Sequence, residues 1–197
     1  MKDKEKILNI LNTSKNGTIS TSEVTKAGIH RVVLKELVDS GKLNRFSRGI
    51  YVKRNALEDE FYLLQQKYKR GIYSSDTALY LLGYSDRTPA KYTMTFPKGY
   101  NTPSLKDENV NIVRVIEGNY VLGIIEVLSP SGNKIKVYDL EKTLCDILRG
   151  KGSDIQIVNF AMKKYASSKQ KDINKLMKYA NKLRVKPKIL RYMEVLL

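Results

Sequence analysis

Apolar residues recur at helical spacing near the start of the chain. Ile7, Leu8, Ile10 and Leu11 stand among polar neighbours and predict a short amphipathic helix. Asn16-Gly17 ends it with a turn, and Ile19 follows as a brief extended residue. Ser20 and Glu23 have capping-box spacing, in which a hydroxyl caps a helix and a carboxylate reaches back; this predicts a second helix running to Ala27. Gly28 breaks it. A third helix is expected over 30–40, burying Val33, Leu34, Leu37 and Val38, with Gly41 as its stop. Leu43, Ile50 and Val52 then flank Ser47-Arg48-Gly49, which reads as strand, turn, strand. A capped helix, a Gly turn, a second helix and a hairpin form the pattern of a winged helix-turn-helix.

The pattern changes after Asn55-Ala56. Leu57, Phe61, Leu64 and Tyr68 predict a linking helix closed by Gly71. Ile72-Tyr73 is short and extended, and Ser74-Ser75-Asp76 caps a helix over 77–82. Strands are expected at 92–96, 110–116, 121–127 and 134–138, followed by a helix over 140–148 capped by Asp139. Three helices fit 154–197, marked by Ile155, Val158, Phe160, Ala161 and Tyr165, then Ile173, Leu176, Met177, Ala180 and Leu183, then Ile189, Leu190, Met193 and Leu196 after Pro187. The expected fold class is α+β. A winged helix-turn-helix over 1–55 precedes a mixed α/β domain over 56–197 with a mainly antiparallel sheet and a helical, basic C-terminal end.

Charge sharpens this division. The 197 residues carry a net +16, unevenly spread. Residues 1–55 hold 12 Lys+Arg against 5 Asp+Glu, residues 56–150 hold 12 of each, and residues 151–197 hold 12 against 3. Two basic ends around a neutral middle suggest defined surfaces for polyanions. At the first end, Arg31 and Lys35 share one stripe of the third helix with Val32 beside it, where a recognition helix meets base edges and phosphates. Arg45 and Arg48 tip the hairpin, and Ser20, Thr21 and Ser22 stand where a helix start donates to phosphate. At the second end, Lys171, Lys175, Lys178 and Lys182 fall on one continuous stripe, extended by Lys163, Lys164, Arg184 and Lys186. Such a stripe suits DNA phosphate, RNA or an acidic protein, and charge alone leaves these open.

Catalytic constellations do not assemble from the sequence. Gly152-Ser153 lacks the acid pair a nucleotidyltransferase places downstream, since Asp172-Ile173-Asn174 has Asn at the second position. No Glu-x-Lys nuclease motif or phosphate-binding Gly-rich loop is present, and His30 has no sequence partner. Asp139, Glu141 and Asp146 read as capping and solvated surface, and Cys145 as a core residue. One cysteine excludes an internal disulfide framework and a cysteine-rich metal site. No apolar run is long enough to span a bilayer. The expectation is a cytoplasmic, non-enzymatic protein with neither metal nor cofactor and no membrane partner. A regulator whose C-terminal domain senses a small ligand is the alternative.

Several segments together resemble the AbiEi-type antitoxins of bacterial abortive-infection AbiE systems. They are Gly41-Lys42-Leu43, Arg48-Gly49-Ile50-Tyr51, Ser75-Asp76-Thr77-Ala78-Leu79, Leu82-Gly83, Arg87-Thr88-Pro89 and the run from Asp139 to Leu148. The resemblance covers nearly the whole chain. It implies a winged domain that binds inverted repeats in its own operon promoter and represses it. It also implies a C-terminal region that antagonises a cognate nucleotidyltransferase-like toxin, in a type IV arrangement that requires no stable complex. The DNA-contacting positions it carries over are Arg31, Val32, Lys35, Arg45 and Arg48. His30 departs from the small capping residue of many relatives.

Overall fold

The computed structural model describes residues 3–14, 17–55, 59–101, 109–149 and 152–196. By contact the chain divides into two units, residues 1–69 with 128–135, and residues 70–127 with 136–197.

The first unit is built on local signals. Helix α1 (Asp3–Thr13) precedes strand β1 (Thr18–Ser20) and helix α2 (Thr21–Lys26). The Ser20 hydroxyl accepts from the Glu23 amide at 3.2 Å and the Glu23 carboxylate accepts from the Ser20 amide at 2.7 Å, so the capping box forms. Helix α3 (Val32–Asp39) leads into β2 (Leu43–Ser47) and β3 (Ile50–Lys53). The strands form an antiparallel sheet in the order β1-β3-β2. Ile7, Leu11, Ile19, Val24, Ile29, Leu34, Leu37 and Leu43 make its core, where truncating a leucine to alanine costs about 2–5 kcal/mol. Val33 and Val38 are only half-buried at its margin.

Packing carries this unit past residue 55. Helix α4 (Glu60–Lys67) sets Leu63 against Ile50 and Val52. Asp59 caps α4 by accepting from the Tyr62 amide at 3.1 Å. Its second oxygen accepts from Asn133 Nδ2 at 2.6 Å and from the Ser129 hydroxyl, which ties the 128–135 turn into the unit. Leu57, expected on the linking helix, lies outside the described residues.

The second unit contains β4 (Ile72–Tyr73), α5 (Ser75–Leu81), β5 (Tyr92–Pro97), β6 (Val110–Val115), α6 (Glu117–Tyr120), most of β7 (Ile124–Leu128) and of β8 (Lys134–Tyr138), and α7 (Leu140–Ile147). Helices α8 (Ile155–Ser167), α9 (Ile173–Lys182) and α10 (Lys186–Leu196) complete it. The sheet runs β6-β5-β4-β8-β7. It is mixed rather than mainly antiparallel: β4 pairs antiparallel with β5, but β4–β8 and β5–β6 are parallel. Parallel pairing sets β6 to start at the same end of the sheet as β5. The strand expected at 121–127 begins only at Ile124, because 117–120 closes as a short helix instead. The helical core joins Leu144, Cys145 and Ile147 of α7 to Val158, Ala161, Met162 and Tyr165 of α8, Leu176 and Ala180 of α9, and Ile189 and Met193 of α10. Phe160 and Ile155 point outward. No described helix is long and apolar enough to cross a membrane.

Candidate functional site

The outer flank of α3 carries the first set of candidate residues. The helix starts at Val32, not His30, and Arg31 is its N-cap without a side-chain capping bond. Gly28, in the left-handed region at φ +70°, turns the chain here, and the amides of Val33 and Leu34 reach back only to the His30 and Arg31 carbonyls. Arg31 is thus placed at the helix mouth, where its Nε donates to Thr25 Oγ1 at 3.1 Å. Val32 is 52% exposed and Lys35 is exposed one turn on, while Leu34 and Leu37 face the core.

The hairpin carries the second set. Arg45 lies opposite Tyr51 beside a bulge, and Arg48 is exposed at the turn. Gly49 has φ +84°, and a Cβ there would stand 3.0 Å from Thr21 Oγ1. The Thr21 amide donates to the Gly49 carbonyl at 2.9 Å, which fastens the hairpin tip to the start of α2. The hydroxyls at that helix start are largely committed. Ser20 donates to Glu23 Oε2 at 2.7 Å and shares a 2.8 Å hydrogen bond with Ser22. The Glu23 carboxylate occupies the end where a phosphate was expected, which leaves Ser20 a capping role.

Two acids of this unit are matched away from the arginines. Glu36 pairs with Lys4 at 2.8 Å and Asp3 with Lys6 at 3.7 Å. Among the described residues Arg31, Lys35, Arg45 and Arg48 have no acidic partner within ion-pair distance.

The C-terminal stripe is not continuous. Lys175 turns inward, 2.9 Å from Asp139 and 3.1 Å from Glu141. Burial pulls its pKa down, but hydrogen bonds to the two carboxylates outweigh this and hold it above the usual lysine range. Lys164 donates to the Gly83 carbonyl at 2.6 Å beside the Tyr84 ring, and Lys171 donates to the Ser168 carbonyl at 3.4 Å. Lys163, Lys178, Lys182, Arg184 and Lys186 remain exposed, without an acidic partner among the described residues. Lys163 and Arg191 line an open groove of about 410 Å³ together with Asn159, Tyr192, Val195 and Leu196.

The α7 acids also differ from expectation. Asp139 and Glu141 are buried rather than solvated. Tyr165 donates to Glu141 at 3.2 Å and Tyr179 to Asp139 at 3.4 Å. Lys142 is fully buried, ion-paired with Asp146 one turn later, and stacked 4.4 Å over the Tyr138 ring. Burial raises the Asp146 carboxyl and Lys142 partly offsets it. Burial pushes the Cys145 thiol up to about 12. Among the described residues, no three His, Cys, Asp or Glu side chains come together as metal ligands.

No protein-family model and no curated protein matches the chain. Its fold is similar to that of the Rv2827c protein from Mycobacterium tuberculosis, known from a crystal structure. The TM-score is 0.63 at 15% identity, covering 89% of this chain and 69% of that one. At that identity the likeness is one of fold alone.

Two features escaped the sequence reading. One is the inward lysine at 175, whose partners lie on another helix. The other is the Lys142–Asp146 pair, whose i,i+4 spacing inside the Leu140/Leu144/Ile147 pattern was the available signal.

Proposed function

We propose that this protein is a DNA-binding repressor of its own promoter that also acts as an antitoxin. The first unit is the winged helix-turn-helix, with α2 and α3 as its helix pair and β2–β3 as its wing. The observation that carries this reading is the set Arg31, Lys35, Arg45 and Arg48, exposed and without an acidic partner within ion-pair distance among the described residues, while Glu36 pairs with Lys4 and Glu23 closes the α2 cap. Phosphate contacts from the arginines and Lys35 would fix the register, and Val32 would meet a thymine methyl in the major groove.

The antitoxin role rests on the resemblance of the sequence segments to AbiEi-type antitoxins. The exposed cations Lys163, Lys178, Lys182, Arg184 and Lys186 are its candidate surface. Lys175 is excluded from that surface because its charge is consumed by Asp139 and Glu141. Coexpression with the gene beside it in the operon tests both roles. The intact chain is expected to restore growth against a toxic neighbour and to silence a reporter driven by its own promoter. Arg31→Ala with Arg48→Ala is expected to release the reporter while growth rescue persists. No rescue by the intact chain defeats the antitoxin role, and an unaffected reporter in the double variant defeats the assigned DNA surface.

A further inference from the structure

The second unit holds an open pocket of about 320 Å³, within the range of small-molecule sites. Its polar groups come from four separate places in the sequence. Ser74 and Ser75 sit at the β4–α5 junction, Thr95 on β5, Arg114 on β6, and Asp146 and Arg149 at the end of α7. Val113 and Val115 supply apolar wall.

Three observations give the pocket a preferred ligand. The first is its charge. Lys142 lies fully buried against the Asp146 carboxylate and balances it, and two guanidinium groups, those of Arg114 and Arg149, line the walls. The second is an unspent donor. Buried Thr95 gives its hydroxyl proton to Ser74 Oγ at 2.8 Å, and the Ser74 proton then has no acceptor among the described residues. A buried hydroxyl in that position favours an acceptor-rich ligand. The third is backbone strain. Ser75 holds φ +52°, a left-handed conformation that non-glycine residues seldom adopt and that is concentrated at ligand sites. Its hydroxyl lies 3.5 Å from that of Ser153.

We propose that this pocket binds a phosphate ester of sugar-phosphate to mononucleotide size. The phosphate is held by Arg114, Arg149 and the Ser74 hydroxyl. A hydroxyl or amino group of the same molecule donates to Asp146, one of whose oxygens is already engaged by Lys142. This site is independent of the DNA-binding reading.

Titration calorimetry of the full chain with ribose 5-phosphate, adenosine 5′-monophosphate, inorganic phosphate and adenosine tests it. Saturable one-to-one binding is expected for at least one of the two esters, tighter than for inorganic phosphate, and none for adenosine. Arg149→Gln, at an exposed position, and Ser74→Ala should each weaken ester binding roughly tenfold or more. Lys178→Gln with Lys182→Gln should leave it unchanged. Failure of both esters to bind overturns the proposal. So does inorganic phosphate binding as tightly as the esters, or the lysine pair mattering as much as Arg149.

Discussion

Arg48→Gln isolates the electrostatics of the proposed DNA surface. The residue is exposed at a hairpin turn and has no acidic partner among the described residues, so its loss should change stability by less than about 0.5 kcal/mol. Its effect on DNA can be worked out. Each phosphate neutralised on duplex DNA releases about 0.9 of a counterion, so Arg31, Lys35, Arg45 and Arg48 contacting one phosphate each give a log–log salt slope of about −3.6. Affinity then falls about 150-fold between 50 and 200 mM salt. With Arg48 neutralised the slope becomes about −2.7, the same salt step costs about 40-fold, and affinity near 0.1 M is about eightfold lower. Fluorescence anisotropy on a labelled fragment of the protein's own promoter, read at several salt concentrations, measures both quantities. Lys35→Gln should behave alike. A slope untouched by either change, with Lys178→Gln moving it instead, would place the DNA on the other basic surface and refute the reasoning.

The two buried charge clusters make contrasting predictions. Lys175→Ala strands the buried carboxylates of Asp139 and Glu141, but 35% of the lysine side chain is open to solvent, so the loss in urea unfolding should be about 1–3 kcal/mol, whereas Lys178→Ala on the same helix should cost under about 0.5 kcal/mol. Lys142→Met leaves the Lys142–Asp146 pair broken at a fully buried position, with a larger loss of about 3–5 kcal/mol near neutral pH. Burial holds the Asp146 carboxyl above its ordinary range, so the folded state takes up its proton first; the Lys142→Met deficit should therefore shrink as pH falls from 7 toward about 4.5, which urea midpoints across that range would show. Cys145, buried and with its thiol pushed up to about 12, should resist a thiol-alkylating reagent in the native chain and react fully in denaturant, as read by mass.

The parts of the fold legible in the sequence are those decided within a few residues. Ser20 and Glu23 carry the α2 cap between them, Gly41 and Gly49 supply the positive φ that their turns need, and Asp139 caps α7 with its own side chain. The start of α3 was harder, because whether His30 or Arg31 precedes the first turn depends on how Gly28 redirects the chain. Strand pairing was harder still. Tyr73 meets Met94 on one side and Val137 on the other, and no residue near Tyr73 encodes the parallel sense of the second pairing.

The same distance argument explains the basic stripe. On the sequence Lys175 is indistinguishable from Lys171, Lys178 and Lys182, since all four repeat on one side of a helix whose opposite side is apolar. What separates it is the neighbour. Helix α7 presents Asp139 and Glu141 at the level of Lys175, and two carboxylates in a buried setting need a cation more than solvent does. The acids look like ordinary surface residues for the complementary reason, because their cation lies more than thirty residues downstream. A charge pattern read along one helix therefore overstates the surface it offers. The proposed functional weight shifts to exposed cations without an acidic partner among the described residues, such as Lys163, Lys178, Lys182, Arg184 and Lys186 at one end and Arg31, Lys35, Arg45 and Arg48 at the other.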